Sequence, residues 1–286
     1  MEPPSVPLPD DSEEEFAEAE AGHRGWVDRS GGGLVRLLRA VQGIGAFALI
    51  SLGVLAGKIG VARSIVHPLI LQQIARAGLR LFPLAAFLAF ALGFIVIGQT
   101  VSVLNRVGAH QLLGTIMVAT VVRELGPLLT AILVLSRAGT ANVVELGTAR
   151  ALGEVEALEV LGIDPIHYFV VPRLIGMAVG MFTLTVYVIL GALLSGYLWA
   201  FLQEVPLSPG EYFEQMAQAL HAIDFVLLAA KTLGMGGAIA LVTCFHGLAQ
   251  PLSIGEVSRA TVRAVGQSIV ACALLEAFFL LIYLSV

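Results

Sequence analysis

Residues 174–203 run for thirty positions without a formal charge. About 20 mostly apolar residues in a helix are enough to cross the hydrocarbon core of a bilayer. A stretch of this kind therefore constrains the fold more than any other feature of the chain. Four further apolar runs accompany it. Residues 81–104 are uncharged over 24 positions, 225–249 are interrupted only by Lys231, and 264–286 only by Glu276. Residues 107–136 are interrupted by one adjacent pair, Arg123 and Glu124. Strand-type alternation is absent, which argues against a β-barrel. Charged residues make up 13% of the chain, about half the roughly 25% usual in soluble domains. The fold class that follows is all-α and integral to a membrane.

A sixth uncharged run, residues 40–57, is 18 residues long. Hydropathy alone does not decide whether it spans, but the placement of Lys and Arg does, because cytoplasmic loops collect them. With five spans, thirteen of the fourteen Lys and Arg outside the spans fall on one side and only Arg106 on the other. With six spans the better division is nine against five. Five spans and an N-terminal helix lying along the inner surface is the expected arrangement. Arg36, Arg39, Lys58 and Arg63 flank that helix within reach of lipid headgroups. The N-terminus is then cytoplasmic and the C-terminus periplasmic. The expected elements are the interfacial helix at 34–57, spans at 81–104, 107–145, 165–203, 222–249 and 257–286, and a loop helix at 148–161. Residues 1–33, rich in Pro, Glu, Asp and Gly, read as a disordered acidic tail.

The loop after the second span holds five acids, Glu145, Glu154, Glu156, Glu159 and Asp164, yet residues 148–161 favour helix. Gly162 supplies its stop, and Asp164-Pro165 supplies a cap and first helical position for the next span. A short acidic helix fixed between two spans is suited to sensing a partner's movement.

Within this loop, "EALEVLG" (Glu156 to Gly162) resembles the EAA-x-x-x-G loop of ABC-transporter permeases. The longer run "RELGPLLTAILVLSRAGTANVVELGTARALGEVEALEVLGIDPIHYFVVPRL" resembles the MlaE family, the permeases of Mla/Mce phospholipid transport systems. The likeness extends through "GFIVIGQ", Lys231, "CFHGL" and "GEVSRATVRAV", and so covers residues 34–286. Glu276 departs from it, standing where an Asp is usual.

The resemblance implies an N-terminal interfacial helix, five spans, a coupling helix between the second and third, and two copies forming the membrane core. Its implied partners are ABC ATPase subunits, a STAS-domain protein and a ring of Mce-domain proteins, in a cell inner membrane. The implied function is ATP-driven movement of phospholipid. The residues at the ATPase are then expected to be Arg150, Glu154, Glu156, Leu158, Glu159 and Gly162. No phosphate loop of the Gly-x-x-x-x-Gly-Lys-Ser/Thr type is present, so this chain is not expected to hydrolyse ATP or to bind a cofactor; ATP and Mg belong to the partner. No metal spacing, nucleophile–base pair or nucleic-acid footprint is visible either.

Charge in a bilayer is costly, about 2.5–3.5 kcal/mol per residue on insertion scales, and such residues face a bundle interior or a wet cavity. Arg123 and Glu124 are about 100° apart on a helix and need not pair with each other. Two readings stay open. In one, Arg123, Lys231 and Glu124 edge a lipid cavity, where the Arg123 fork suits a phosphate and Phe90, Phe94 and Gln99 form walls and mouth. In the other, the same charges are buried pairs that hold the bundle together. A secondary transporter or channel using these charges as a relay is the alternative function. The lack of a detectable inverted repeat weighs against it.

Overall fold

The computed structural model describes residues 42–57, 63–108, 112–202, 208–248 and 253–285. The acidic tail at 1–33, and the start of the helix expected at 34–57, lie outside them. The chain divides into two units between Leu49 and Ile50. Among the described residues there is no strand. The described part of helix α1, Gln42–Gly57, is shorter than the about 20 residues a crossing takes. Five helices are long and apolar enough to do so: α2 His67–Leu104, α3 Leu113–Ala151, α5 Ile166–Leu202, α7 Ala222–Leu248 and α8 Ile254–Ser285. Two short helices connect them, α4 Glu154–Val160 and α6 Pro209–Ala219.

Three boundaries differ from the sequence reading. First, helix precedes the uncharged run at 81–104: Arg63–Ala77 is α-helical, Leu79–Leu81 is a tighter 3-10 turn, and the α-helix resumes at Phe82. Hydropathy marks only the part that must sit in lipid, whereas the helix ahead of the tighter turn carries Arg76 and the turn itself carries Arg80. Second, α3 starts at Leu113 and ends at Ala151, where residues 107–145 were expected. Third, the helix expected at 148–161 is two pieces. Residues 148–151 finish α3, the chain turns at Gly153 with φ +77°, and α4 follows. Only glycine adopts that φ without strain, so the break is encoded at one residue. Gly162, φ +74°, ends α4 in the same way, and the Asp164 carboxylate accepts the Ile166 N–H at 3.0 Å to start α5.

In unit 2, α5 is the central helix, packed on α2, α3 and α7. One core cluster joins Ala85 and Ala89 of α2, Val134 of α3, Met177, Met181 and Leu184 of α5, Met235 and Ile239 of α7, and Cys272 of α8. A second, towards α6, joins Ile97, Met117, Val121, Ile189, Ala192, Tyr212 and Met216. Lipid offers apolar side chains the same environment as a neighbouring helix does, so close association requires small residues that let backbones meet. Gly236 of α7 shows the requirement. A Cβ there would stand 2.7 Å from the Met177 carbonyl oxygen and 2.8 Å from the Ala178 Cα of α5. Outside the spans, α6 opens with a capping box: Ser208 Oγ accepts the Glu211 N–H, and Glu211 accepts the Ser208 N–H.

Candidate functional site

The Arg123–Glu124 pair sits where α3 is loosened. Residues 118–125 form wide turns, with the Gly126 N–H reaching back five residues to the Val121 carbonyl. Pro127 follows and has no N–H to give the carbonyl four residues earlier, that of Arg123. In hydrocarbon an unpaired carbonyl is expensive, and the fold fills it from another helix. Lys231 of α7 donates to the Arg123 carbonyl at 2.7 Å. Its remaining partners are Glu276 of α8 at 2.8 Å and Glu124 at 3.4 Å. An ammonium has three donors and no acceptor, so all three are engaged. The Lys231 side chain is 0% exposed.

Arg123 turns the other way, as the 100° offset requires. It meets Asp224, in the first turn of α7, through Nε at 2.9 Å and Nη2 at 3.2 Å. Asp224 is 2% exposed and also accepts the His221 N–H at 2.9 Å. The Arg123 guanidinium lies 5.0 Å from the centre of the Tyr283 ring on α8, a cation–π distance. Its side chain stays 28% exposed. Three helices are thus tied by two cations and three carboxylates. The sequence reading singled out Arg123, Glu124 and Lys231 but missed Asp224 and Tyr283, and noted Glu276 as an interruption and a departure from the family pattern without giving it a partner. Asp224 looked like the polar edge of an apolar run. Nothing in one sequence indicates which turn of α8 faces Lys231.

Phe90, Phe94 and Gln99 are brought together elsewhere, on α2. Phe90 and Phe94 stack at 5.5 Å, and Phe94 meets the Trp199 ring of α5 edge-on at 5.2 Å. One apolar groove of about 530 Å³ runs along Phe87, Phe90 and Phe94. A second, of about 500 Å³, continues from Phe94 past Gln99 and Ser102 to Arg106. Neither is lined by Arg123, Glu124 or Lys231. The expected lipid-binding residues therefore form two groups, an interhelical charge cluster and an open groove with a polar end.

The residues expected at an ATPase surround α4. Arg150, on the last turn of α3, pairs with Glu156 at 3.3 Å. Glu154 and Glu159 are exposed, Leu158 is partly covered, and Val155 alone in α4 is buried. Exposed Gly162 closes the helix. Around it lie Leu152, Val160, Leu161 and Ile163, with Val160 87% exposed and Leu161 73% exposed.

Residues 70–282 match the model of the family described as Permease MlaE. A probable ABC transporter permease protein of Rickettsia bellii is 29% identical over 238 residues, covering 82% of this chain and 89% of the relative. The Haemophilus influenzae intermembrane phospholipid transport system permease protein MlaE is 26% identical over 230 residues, 78% of this chain and 85% of that protein. The chloroplastic protein TRIGALACTOSYLDIACYLGLYCEROL 1 of Arabidopsis thaliana is 30% identical over 205 residues, 70% of this chain and 57% of that protein. With a family match over most of its length and five helices fit to span a bilayer, the chain belongs to the MlaE family of ABC transporter permeases, membrane subunits that leave ATP hydrolysis to a separate partner.

Proposed function

We propose that this permease moves phospholipid, driven by an ATPase that docks on α4. The observation that carries the docking half is the rim of Leu152, Val160, Leu161 and Ile163. Apolar side chains gathered at a helix turn outside the spans mark a surface for a partner, and Glu154 and Glu159 frame it with charge. The phospholipid half is supported by the α2 grooves and by the name of the Haemophilus relative. Acyl chains lie along Phe87, Phe90 and Phe94, and a headgroup lies towards Gln99. Arg106 is the cation at that end of the groove, and Arg123, outside both grooves but with part of its fork open, is a second cation suited to a phosphate. Lys231 has no donor to spare, so it serves as the tie between helices, and Glu124 balances it. Two copies form the core, supported by α8, which the fold leaves far less buried than the other four candidate spans. STAS-domain and Mce-domain partners, and an inner-membrane location with the α4 side cytoplasmic, complete the reading.

The test is co-purification from native membranes, with bound phospholipid measured by mass spectrometry per folded chain. Arg123→Ala and Phe94→Ala are each expected to lower lipid per chain about tenfold, the loss that goes with removing one charge-assisted or one well-packed contact. Glu154→Lys with Glu159→Lys is expected to lose the ATPase and keep the lipid. Equal lipid in wild type and both substitutions would end the binding assignment. An ATPase that still co-purifies with the double reversal would end the docking assignment.

A further inference from the structure

At the α4 end of the bundle, one carboxylate on α3 is shared by arginines from two other helices. Glu145 of α3 accepts from Arg76 of α2 at 3.1 and 3.2 Å, and from Arg173 of α5 at 3.0 Å. The two arginines are held differently. Arg173 is 8% exposed. It also donates to the Asn142 side-chain oxygen at 3.3 Å and to the Phe169 carbonyl at 3.0 Å. Asn142 and Glu145 lie one turn apart on α3, so Arg173 clasps that face twice and α3 and α5 move together. Arg76 is a third exposed, and so is nearly half of Glu145. Half-exposed ion pairs are weak and easily exchanged. The first half of α2 packs mainly on α5, so its tie to α3 at this end rests largely on this pair. Five residues beyond Glu145, Arg150 pins α4 to α3 through Glu156. The continuation of α2 carries the aromatic groove.

We propose that Glu145 is a positioning residue linking α4 to α2: it holds Arg76 and Arg173 together in one state and releases Arg76 when α4 is displaced. This rests on the reading of the chain as an ATP-driven permease. The device has a strong half and a weak half by construction. A bistable contact of this kind turns a small shift of one helix end into a discrete rearrangement.

The experiment uses the full-length chain with its co-purified ATPase in nanodiscs, Cys244 and Cys272 replaced by Ala. Spin labels at the exposed positions Leu71 of α2 and Val144 of α3 report their separation with and without ATP. In the wild type, ATP is expected to change that distance. Glu145→Gln and Arg76→Gln are each expected to abolish the change and to lower lipid moved per ATP hydrolysed about tenfold, within the usual range for coupling between sites. The double variant is expected to lose no more than either single one. Arg76→Gln keeps the test open should Glu145→Gln fold poorly. A distance that responds to ATP equally in the wild type and both variants would overturn the proposal, and so would one that responds in none. If the labels respond as expected but the wild type moves no phospholipid, the joint stands and the phospholipid reading falls.

Discussion

Lys231 and Pro127 are 104 positions apart in the sequence and form one structural unit. The proline leaves the Arg123 carbonyl without a donor from its own helix, and the lysine supplies one at 2.7 Å. Removing one partner of a buried ionic group costs about 3–5 kcal/mol because the charge left behind has no compensation. Lys231→Met is therefore expected to lower stability by about that much, read by thermal unfolding in detergent. Glu276→Gln in the same chain removes one stranded carboxylate and should recover part of the loss. Pro127→Ala restores a backbone donor to the Arg123 carbonyl and should also recover part of it. If neither second substitution restores anything, Lys231 is not the tie described. The charges themselves were legible in the sequence, since Arg123, Glu124 and Lys231 stand out in apolar runs. Their partners were not, because pairing depends on the rotation and register of α7 and α8 against α3.

At the scale of elements, number and type were readable and ends were less so. Apolar length predicts a span but says nothing about the helix that leads into it, which is why helix is found ahead of the uncharged run from Arg63. The stop at Gly162 was legible and the turn at Gly153 was not, although both need a positive φ. Glycines separate in the same way once their neighbours are known. Gly236→Ala forces α5 and α7 apart and is expected to cost about 1–3 kcal/mol, as overpacking does. Gly234→Ala has nothing within 4 Å and should be neutral or stabilising by up to about 1 kcal/mol. Thermal unfolding of the two variants side by side checks the contrast; equal effects would remove the close-approach argument.

The α6 cap carries a pH dependence of known sign. The Ser208 N–H and hydroxyl hold the Glu211 carboxyl below its ordinary value. Its contribution is present above the ordinary carboxylate range and disappears as pH falls through the lowered value. Ser208→Ala keeps the backbone donor and removes the hydroxyl, so it should weaken that dependence in part, measured as amide exchange in α6 across the acid range.

For the whole molecule, an odd number of spans places α4 and α6 on opposite faces of the membrane, since one span separates them. Single cysteines at Val160 and Gln218, both exposed, are expected to react with an impermeant maleimide from opposite sides: Val160→Cys from the cytoplasm, Gln218→Cys from outside. Same-side labelling would break the five-span arrangement. The five apolar helices, the all-α class and the family were determined by the sequence itself, because each depends on local quantities: apolar length and a contiguous motif. The tertiary structure decided which charges meet. Asp224 takes Arg123, Glu276 takes Lys231 and Glu145 takes two arginines. It also separated the aromatic groove of α2 from the charge cluster. Inside a bilayer nearly every helix face is apolar, so periodicity does not mark which face is buried. Close glycine contacts and a few buried charges set the register instead, and both act between residues far apart in the chain.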